Sequence, residues 1–532
     1  MDNEDRISTP VETRSGRLRG LRGPRAGSAL SFRGIPYAAD TSGANRFVAP
    51  KPVPAWTGVH DAFALGDRCP QLPENLVKIP AFAWYGESTG FSENCCVLNV
   101  FTPDLDPQAR RPVMVYLHGG GYWSGGSGSP ASDGSELAAF GDVVVVTLNH
   151  RLNVFGHTDF AGQGATDFPD ACHVGQLDIV AALQWVQDNI RAFGGDPDNV
   201  TLFGQSGGGG KVLVAMMMPA ARGLFHRAIN MSGATGLRLV RSADVAPYVR
   251  ELLKALGVDA RDVRRLQDVP ADVLVAARAK AMAAARMEGA HPVIDGRHVL
   301  ASPFDPEGIA LQSSVPLMMG TTGTEATLFL GNNRANFAIG EAQLKARVQA
   351  QFGMNAAEAD AMIAAYRTDD PGRSAADLLA SLASDILARG AMIRCVEAKA
   401  SAPGAPVYLY HLAWRSPVEG GVWRSPHTID IPLVFGTLEA APALIGDASA
   451  ARGVSHDIMS AFVAFARTGD PNNARLPAWK PYDMATRATM VFDTESRAVN
   501  DYEGAQRIAC TPHIAEVPIA LMRGPLFRGV PD

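Results

Sequence analysis

No two cysteines in this chain are spaced C-x-x-C, and only six occur in 532 residues, at positions 69, 95, 96, 172, 395 and 510. That excludes a zinc ribbon and a disulfide-built scaffold. Charge is also sparse. Asp, Glu, Lys and Arg make up 19 % of the chain, and 48 basic against 54 acidic residues leave a net charge of −6. There is no basic stripe or tail, so nucleic acid is not an expected partner. No apolar run reaches the roughly 18 residues of a membrane span. The opening stretch, MDNEDRISTPVETRSGRLRG, has no apolar core of a secretory signal, and the expectation is a cytoplasmic protein. No repeat with a period of about 20–50 residues is visible, which argues against a solenoid.

What is present is an ordinary globular balance, with 47 % apolar residues. The 53 glycines and 36 prolines sit in short clusters between apolar runs, the pattern of many turns. Val113 to Leu117 reads as a buried strand, and Val143 to Leu148 (VVVVTL) is the strongest strand signal in the chain. Leu177, Val180, Leu183, Val186 and Ile190 recur at helical spacing, with Gly194-Gly195 beyond them. Asn199 to Phe203 is the next strand, followed by a helical stretch through Met216. This alternation predicts an α/β fold with a mostly parallel sheet covered on both faces. Val315 to Met319 and Val407 to Leu412 are further candidate strands. Residues 245–290 and 340–400 are Ala-, Leu- and Arg-rich and read as helical. His456 to Arg467 is amphipathic, and Gly469 stops it. No Gly-, Ser- or Pro-rich linker divides the chain, so one domain over 1–532 with helical insertions is expected.

The chemistry begins at Gly204-Gln205-Ser206-Gly207-Gly208, a G-x-S-x-G between a strand and a helix. A tight strand-to-helix turn pushes its serine hydroxyl out over the sheet and needs small neighbours so that strand and helix can approach. Glycines at 207 to 210 each cost a helix about 1 kcal/mol against alanine, which points to close approach there. Upstream, His118-Gly119-Gly120-Gly121 follows a strand and offers backbone N–H groups unobstructed by side chains. Such donors stabilise an oxyanion in acyl transfer. A nucleophilic serine also needs a base and an acid that orients it. Histidines after Ser206 stand at 226, 291, 298, 411, 427, 456 and 513. His226 is too close to the serine, and His411 falls inside a strand pattern. His427 lies in a Pro-containing loop, which suits a base. For the acid, Asp295, Glu325 and Asp385 all satisfy the order Ser, acid, His. Glu325 follows the 315–319 strand, which Gly320 is expected to end, and so sits at the carboxyl edge of the sheet.

At this point the chain resembles the type-B carboxylesterase family, which includes cholinesterases and bacterial para-nitrobenzyl esterases. Phe32-Arg33-Gly34-Ile35-Pro36-Tyr37-Ala38 is similar to the family's F-x-G-I-P-Y-A, Ser92-Glu93-Asn94-Cys95 to S-E-D-C, and Asn149-His150-Arg151-Leu152 to N-Y-R-L. Phe193-Gly194-Gly195-Asp196-Pro197 and Gly469-Asp470-Pro471-Asn472 match family blocks outright. The resemblance spans nearly the whole length. It implies an α/β-hydrolase fold and ester hydrolysis by a Ser–Glu–His triad, with Ser206 as nucleophile, Glu325 as acid and His427 as base. The oxyanion donors would be the N–H groups of Gly120, Gly121 and Gly207. No metal or cofactor is implied, and the partner is a small-molecule ester. Binding proteins of the same fold that have lost the serine are the rival class; carbamate or amide cleavage is the rival chemistry.

Cys69 and Cys95 also resemble the family's first disulfide pair and are expected to lie close enough to bridge, with the loop between them walling the entrance in the family. Phe82, Trp84 and Tyr85 would then line the alcohol side of the pocket, with Tyr122 and Gln205 as further pocket residues. The chain departs from the family pattern at Gln205, usually acidic, at Gly207, usually alanine, and at Thr324 and Ala326, usually Asp and Gly. These departures argue against a cholinesterase.

Overall fold

The structure is a computed structural model that describes residues 6–24, 27–73, 78–87, 89–233, 239–287 and 291–514. Residues 1–5 of the opening stretch and 288–290 of the helical 245–290 region lie outside it. The main sheet has eleven strands, numbered here in chain order. They are β1 (Leu21–Arg22), β2 (Leu30–Pro36), β3 (Val97–Thr102), β4 (Arg111–Leu117), β5 (Val144–Leu148), β6 (Gly195–Gln205), β7 (Arg227–Met231), β8 (Leu317–Thr322), β9 (Val407–Leu412), β10 (Ala488–Phe492) and β11 (Arg497–Asn500). Across the sheet they run β1-β2-β3-β5-β4-β6-β7-β8-β9-β10-β11. The strands from β5 through β10 in this order are mutually parallel, and both ends of the sheet are antiparallel.

Alternation along the central strands assigns the two faces. Val113, Val115 and Leu117 point into one core with Val144, Val146, Val200 and Leu202. That core is closed by Ile179, Leu183 and Val186 of α1 (Val174–Asn189) and by Val212 to Met216 of α2 (Gly207–Met216). Met114 and Tyr116 point the other way, into a second core with Phe203, Ile229 and Met318. There they meet Leu433 and Phe435 of α3 (Asp430–Phe435) and Ile458, Phe462 and Phe465 of α4 (Ala448–Thr468). A sheet buried on both faces reads as continuous apolar strands, as β4 and β5 do. Further helices fill 242–285 and 341–400. Gly469 ends α4 in the left-handed conformation at φ 83°.

One boundary differs from expectation. Gly320 does not end its strand; β8 continues to Thr322, pairing Gly320, Thr321 and Thr322 with Tyr410, His411 and Leu412. The glycine is there because the Tyr410 ring occupies the space a Cβ would need. Glu325 therefore stands three residues past the strand end, still at the carboxyl edge. No helix of the described residues is long and apolar enough to cross a membrane.

Candidate active site

β6 ends at Gln205 and α2 begins at Gly207, which leaves Ser206 alone in the turn at φ 56°, ψ −123°. A non-glycine residue there stores about 1–3 kcal/mol of strain and persists only if its surroundings over-determine it. Here the Ser206 N–H donates to the Met231 carbonyl at 2.8 Å, and the Ser206 carbonyl accepts from Gly210 at 3.1 Å. The glycines behind the serine are needed for contact. A Cβ on Gly208 would collide with the Leu117 carbonyl at the end of β4, and one on Gly207 would stand 2.5 Å from the Gly121 nitrogen. The residue usual in the family at position 207, alanine, does not fit this packing.

Glu325 is buried, and each of its oxygens is bonded. Oε1 accepts from the Thr322 N–H at 2.7 Å and from Ser232 Oγ at 2.6 Å. Oε2 lies 2.5 Å from His427 Nδ1. Burial works to lower the imidazole pKa, but the charge and hydrogen bond of Glu325 outweigh it and hold His427 above its ordinary value. The loops carrying Glu325 and His427 are stitched together. Thr324 N–H donates to the Ser425 carbonyl at 2.8 Å, and Thr324 Oγ1 accepts from the Ser425 N–H at 3.0 Å. That gives the departure at 324 a structural use. Ala326 N–H donates to Ser384 Oγ at 2.9 Å.

On the other side of the ring, His427 Nε2 lies 3.5 Å from Gln205 Nε2. Gln205 is fully buried, and its Oε1, which has no partner among the described residues, sits with the Tyr85 hydroxyl beside Gly119. Ser206 and His427 make no hydrogen bond to each other among the described residues. Phe329 faces the His427 ring at 5.7 Å. Asp430, one turn beyond His427, is buried, and burial and then Glu325 raise its pKa to about 7.

The glycine triplet lies across the elbow. Gly120 and Gly121 both take the left-handed conformation, at φ 84° and 62°. The Gly120 carbonyl accepts from Ser124 N–H at 3.0 Å, which closes the loop. Among the described residues no protein acceptor takes the N–H groups of Gly120, Gly121 or Gly207. Three backbone donors are therefore uncommitted on the two segments, Gly120–Gly121 and Gly207, that pack against each other beside the serine.

The alternatives for acid and base lie elsewhere. Asp295 pairs with His173 at 3.2 Å and accepts the N–H groups of residues 297 to 299. Asp385 is held by Tyr366 and Arg389. His411 lies in β9 against Tyr502, and His298 pairs with Asp170. The aromatic loop is only partly as expected. Phe82 is fully buried against Trp423, ring centroids 5.2 Å apart, and belongs to the second core instead of lining a pocket. Trp84 is buried against Tyr85, and it is Tyr85 that reaches Gly119. Tyr122 sits with its hydroxyl over Gly210 of α2, between the rings of His157 and His291. Cys69 and Cys95 are neighbours but free thiols: Cys95 contacts both Cys69 and Cys96, and Cys69 Sγ accepts the Leu152 N–H at 3.2 Å. Sequence reasoning missed Ser232, Phe329 and Asp430. Only Ser232 carried a signal, as Ser-Gly directly after a strand at the carboxyl edge.

Residues 7–510 match the model of the carboxylesterase family. The chain belongs to that family. It is 35 % identical over 509 residues to a para-nitrobenzyl esterase of Bacillus subtilis, covering 93 % of this chain and 98 % of the relative. A phenmedipham hydrolase of Pseudarthrobacter oxydans is 31 % identical over 477 residues, covering 88 % and 92 %. Among solved structures, a carboxylesterase of Geobacillus stearothermophilus superposes with a TM-score of 0.79 at 34 % identity, covering 94 % of this chain and all of that one. The sheet described above is thus that of an α/β-hydrolase fold, and the protein is a carboxylic ester hydrolase.

Proposed function

We propose that this hydrolase works through Ser206, His427 and Glu325 and an acyl-enzyme, on small to medium apolar or aromatic esters. The observation that carries the reading is the 2.5 Å contact of Glu325 with His427 Nδ1, while Nε2 of the same ring faces the elbow residue next to Ser206. Neutral His427 takes the Ser206 proton as Oγ attacks the ester carbonyl, and Glu325 stabilises the imidazolium that forms. The N–H groups of Gly120, Gly121 and Gly207 meet the oxyanion. Collapse expels the alcohol, which takes the proton from His427. A water, deprotonated by the same imidazole, then releases the acid and frees the serine. Phe329 and the uncharged Gln205 beside His427, with Tyr85 beside Gly119, support apolar or aromatic substrates over cationic ones.

The test is a burst of p-nitrophenol from a p-nitrophenyl ester, stoichiometric with enzyme. Ser206→Ala should lose roughly 10⁶ in kcat, the scale of a removed nucleophile, and His427→Ala a similar amount. More than about one per cent of activity left in Ser206→Ala, with contamination excluded, rejects the assignment. Carbamates or amides cleaved by the same groups are the alternative. Because one relative is named a phenmedipham hydrolase, that compound belongs in the substrate panel beside simple esters and anilides.

A further inference from the structure

Lys211 is fully buried in α2, five residues after Ser206 and one turn after Gly207. Helical side chains lean toward the helix N-terminus, and this one reaches back to the end of β4. Its Nζ donates to the His118 carbonyl at 3.0 Å. It makes no ion pair among the described residues, and burial lowers its pKa to about 7. An interior ammonium without a carboxylate is costly, and burial here has lowered the pKa accordingly.

The carbonyl it holds belongs to the peptide that opens the glycine triplet. In a trans peptide the C=O and the following N–H point in opposite directions. Fixing the carbonyl therefore aims the N–H. Three consecutive peptides are fixed this way: His118 O by Lys211 Nζ, Gly119 O by His118 Nδ1 at 2.8 Å, and Gly120 O by Ser124 N–H at 3.0 Å. The N–H groups so aimed are those of Gly119, Gly120 and Gly121. His118 is held neutral, its pKa pushed well below the ordinary range by burial and then by Lys211, and it donates to the Gly119 carbonyl as the Nδ1–H tautomer. His150, stacked on His118 at 5.0 Å, and His157 are pushed down in the same way. Lys211 thus sits among uncharged imidazoles and against the carbonyl of the peptide that opens the triplet.

We propose that Lys211 is a positioning residue for the oxyanion donors, anchoring the triplet through the His118 carbonyl. The proposal rests on Ser206 being the nucleophile. The experiment compares Lys211→Met and Lys211→Gln with wild type, after thermal melting has established that each is folded. Steady-state kinetics are read beside the affinity of an aryl trifluoromethyl ketone and of the matching alcohol. Ser206 Oγ adds to the ketone carbon, its proton passes to His427, and the carbonyl oxygen becomes an oxyanion in the hole; the alcohol makes no such bond. Lys211→Met should lower kcat by on the order of 10²-fold, the scale of one lost oxyanion donor, with KM within about threefold. The ketone should weaken by a similar factor and the alcohol hardly at all. Lys211→Gln, which keeps a donor without the charge, should fall between, and it alone decides if the methionine variant does not fold. A folded variant with kcat within about threefold of wild type overturns the proposal, as does equal weakening of ketone and alcohol. Ser206→Ala run alongside separates the two readings. If it abolishes ketone binding while Lys211→Met is unaffected, the Lys211 role alone fails. If it still hydrolyses esters, both fail.

Discussion

Gly121 lies across Gly207 so closely that a methyl group on Gly207 would stand 2.5 Å from the Gly121 nitrogen and the same distance from its Cα. Both partners are backbone, so neither can turn aside as a side chain would. Gly207→Ala must push the triplet off the elbow. The expected result is a loss of about 10- to 100-fold in kcat, since small misplacements of catalytic groups cost this much, with KM changed less. Ester kinetics of the purified variant check this, and kcat within twofold of wild type would show that the loop yields freely.

His427 sets a pH dependence with opposite signs for activity and stability. Its pKa is raised above 6.5 because Glu325 outweighs burial. The base must be neutral, so kcat/KM should rise with pH through a midpoint above 6.5. Glu325→Gln removes the charge and should move that midpoint down while lowering kcat. A raised folded-state pKa also means that the pair stabilises the fold fully only below the unfolded value, and that this is lost as pH climbs through the folded one. Urea midpoints of wild type and Glu325→Gln should therefore differ more near pH 6 than near pH 9. A wild-type activity midpoint below 6.5 would contradict the assignment.

Gln205 presents a dipole where a carboxylate would attract a cation. A carboxylate about 5 Å from a cation contributes roughly 3 kcal/mol at an effective dielectric of 20, before desolvation. Without it, kcat/KM for a choline ester and its neutral carbon isostere should agree within about fivefold at low salt, a difference of about 1 kcal/mol. Gln205→Glu should create a preference for the cation. A preference above tenfold in wild type would mean that another group holds the charge.

The thiols of Cys69 and Cys95 offer a simple count. Denatured, unreduced protein should titrate six thiols, because all six cysteines are free. After mild oxidation four should remain, with a gain of about 3.5 kcal/mol in stability, the chain-entropy value for closing a loop of about 25 residues. Four thiols before any oxidation would show that the bond forms unaided.

The elbow and the triplet were legible because their requirements are local: a strand, small residues, a helix. Glu325 and His427 were not separable from Asp295, Asp385 and the other histidines by such reasoning, because their pairing exists only once β8 and β9 lie side by side. The family resemblance supplied what spacing could not. Gly320 misled in the other direction. Read as a strand end, it is instead the seat of the Tyr410 ring, a contact between strands some 90 residues apart in sequence. Phe82 misled for a similar reason, since an aromatic in a loop looks the same whether it meets a ligand or Trp423.

Thr324 and Ser425 hydrogen-bond to each other directly, yet the helices of 341–400 lie between them in the chain. That stretch leaves the reaction centre and comes back to the same point, so its length is not felt where the acid meets the base. Closure at the return point grows only logarithmically harder with added chain. The outer part of this arm, 341–366, is therefore the place where evolution or an engineer can insert, trim or exchange helices, while the Thr324–Ser425 bonds and the Ala326–Ser384 bond keep the Glu325 and His427 loops in register.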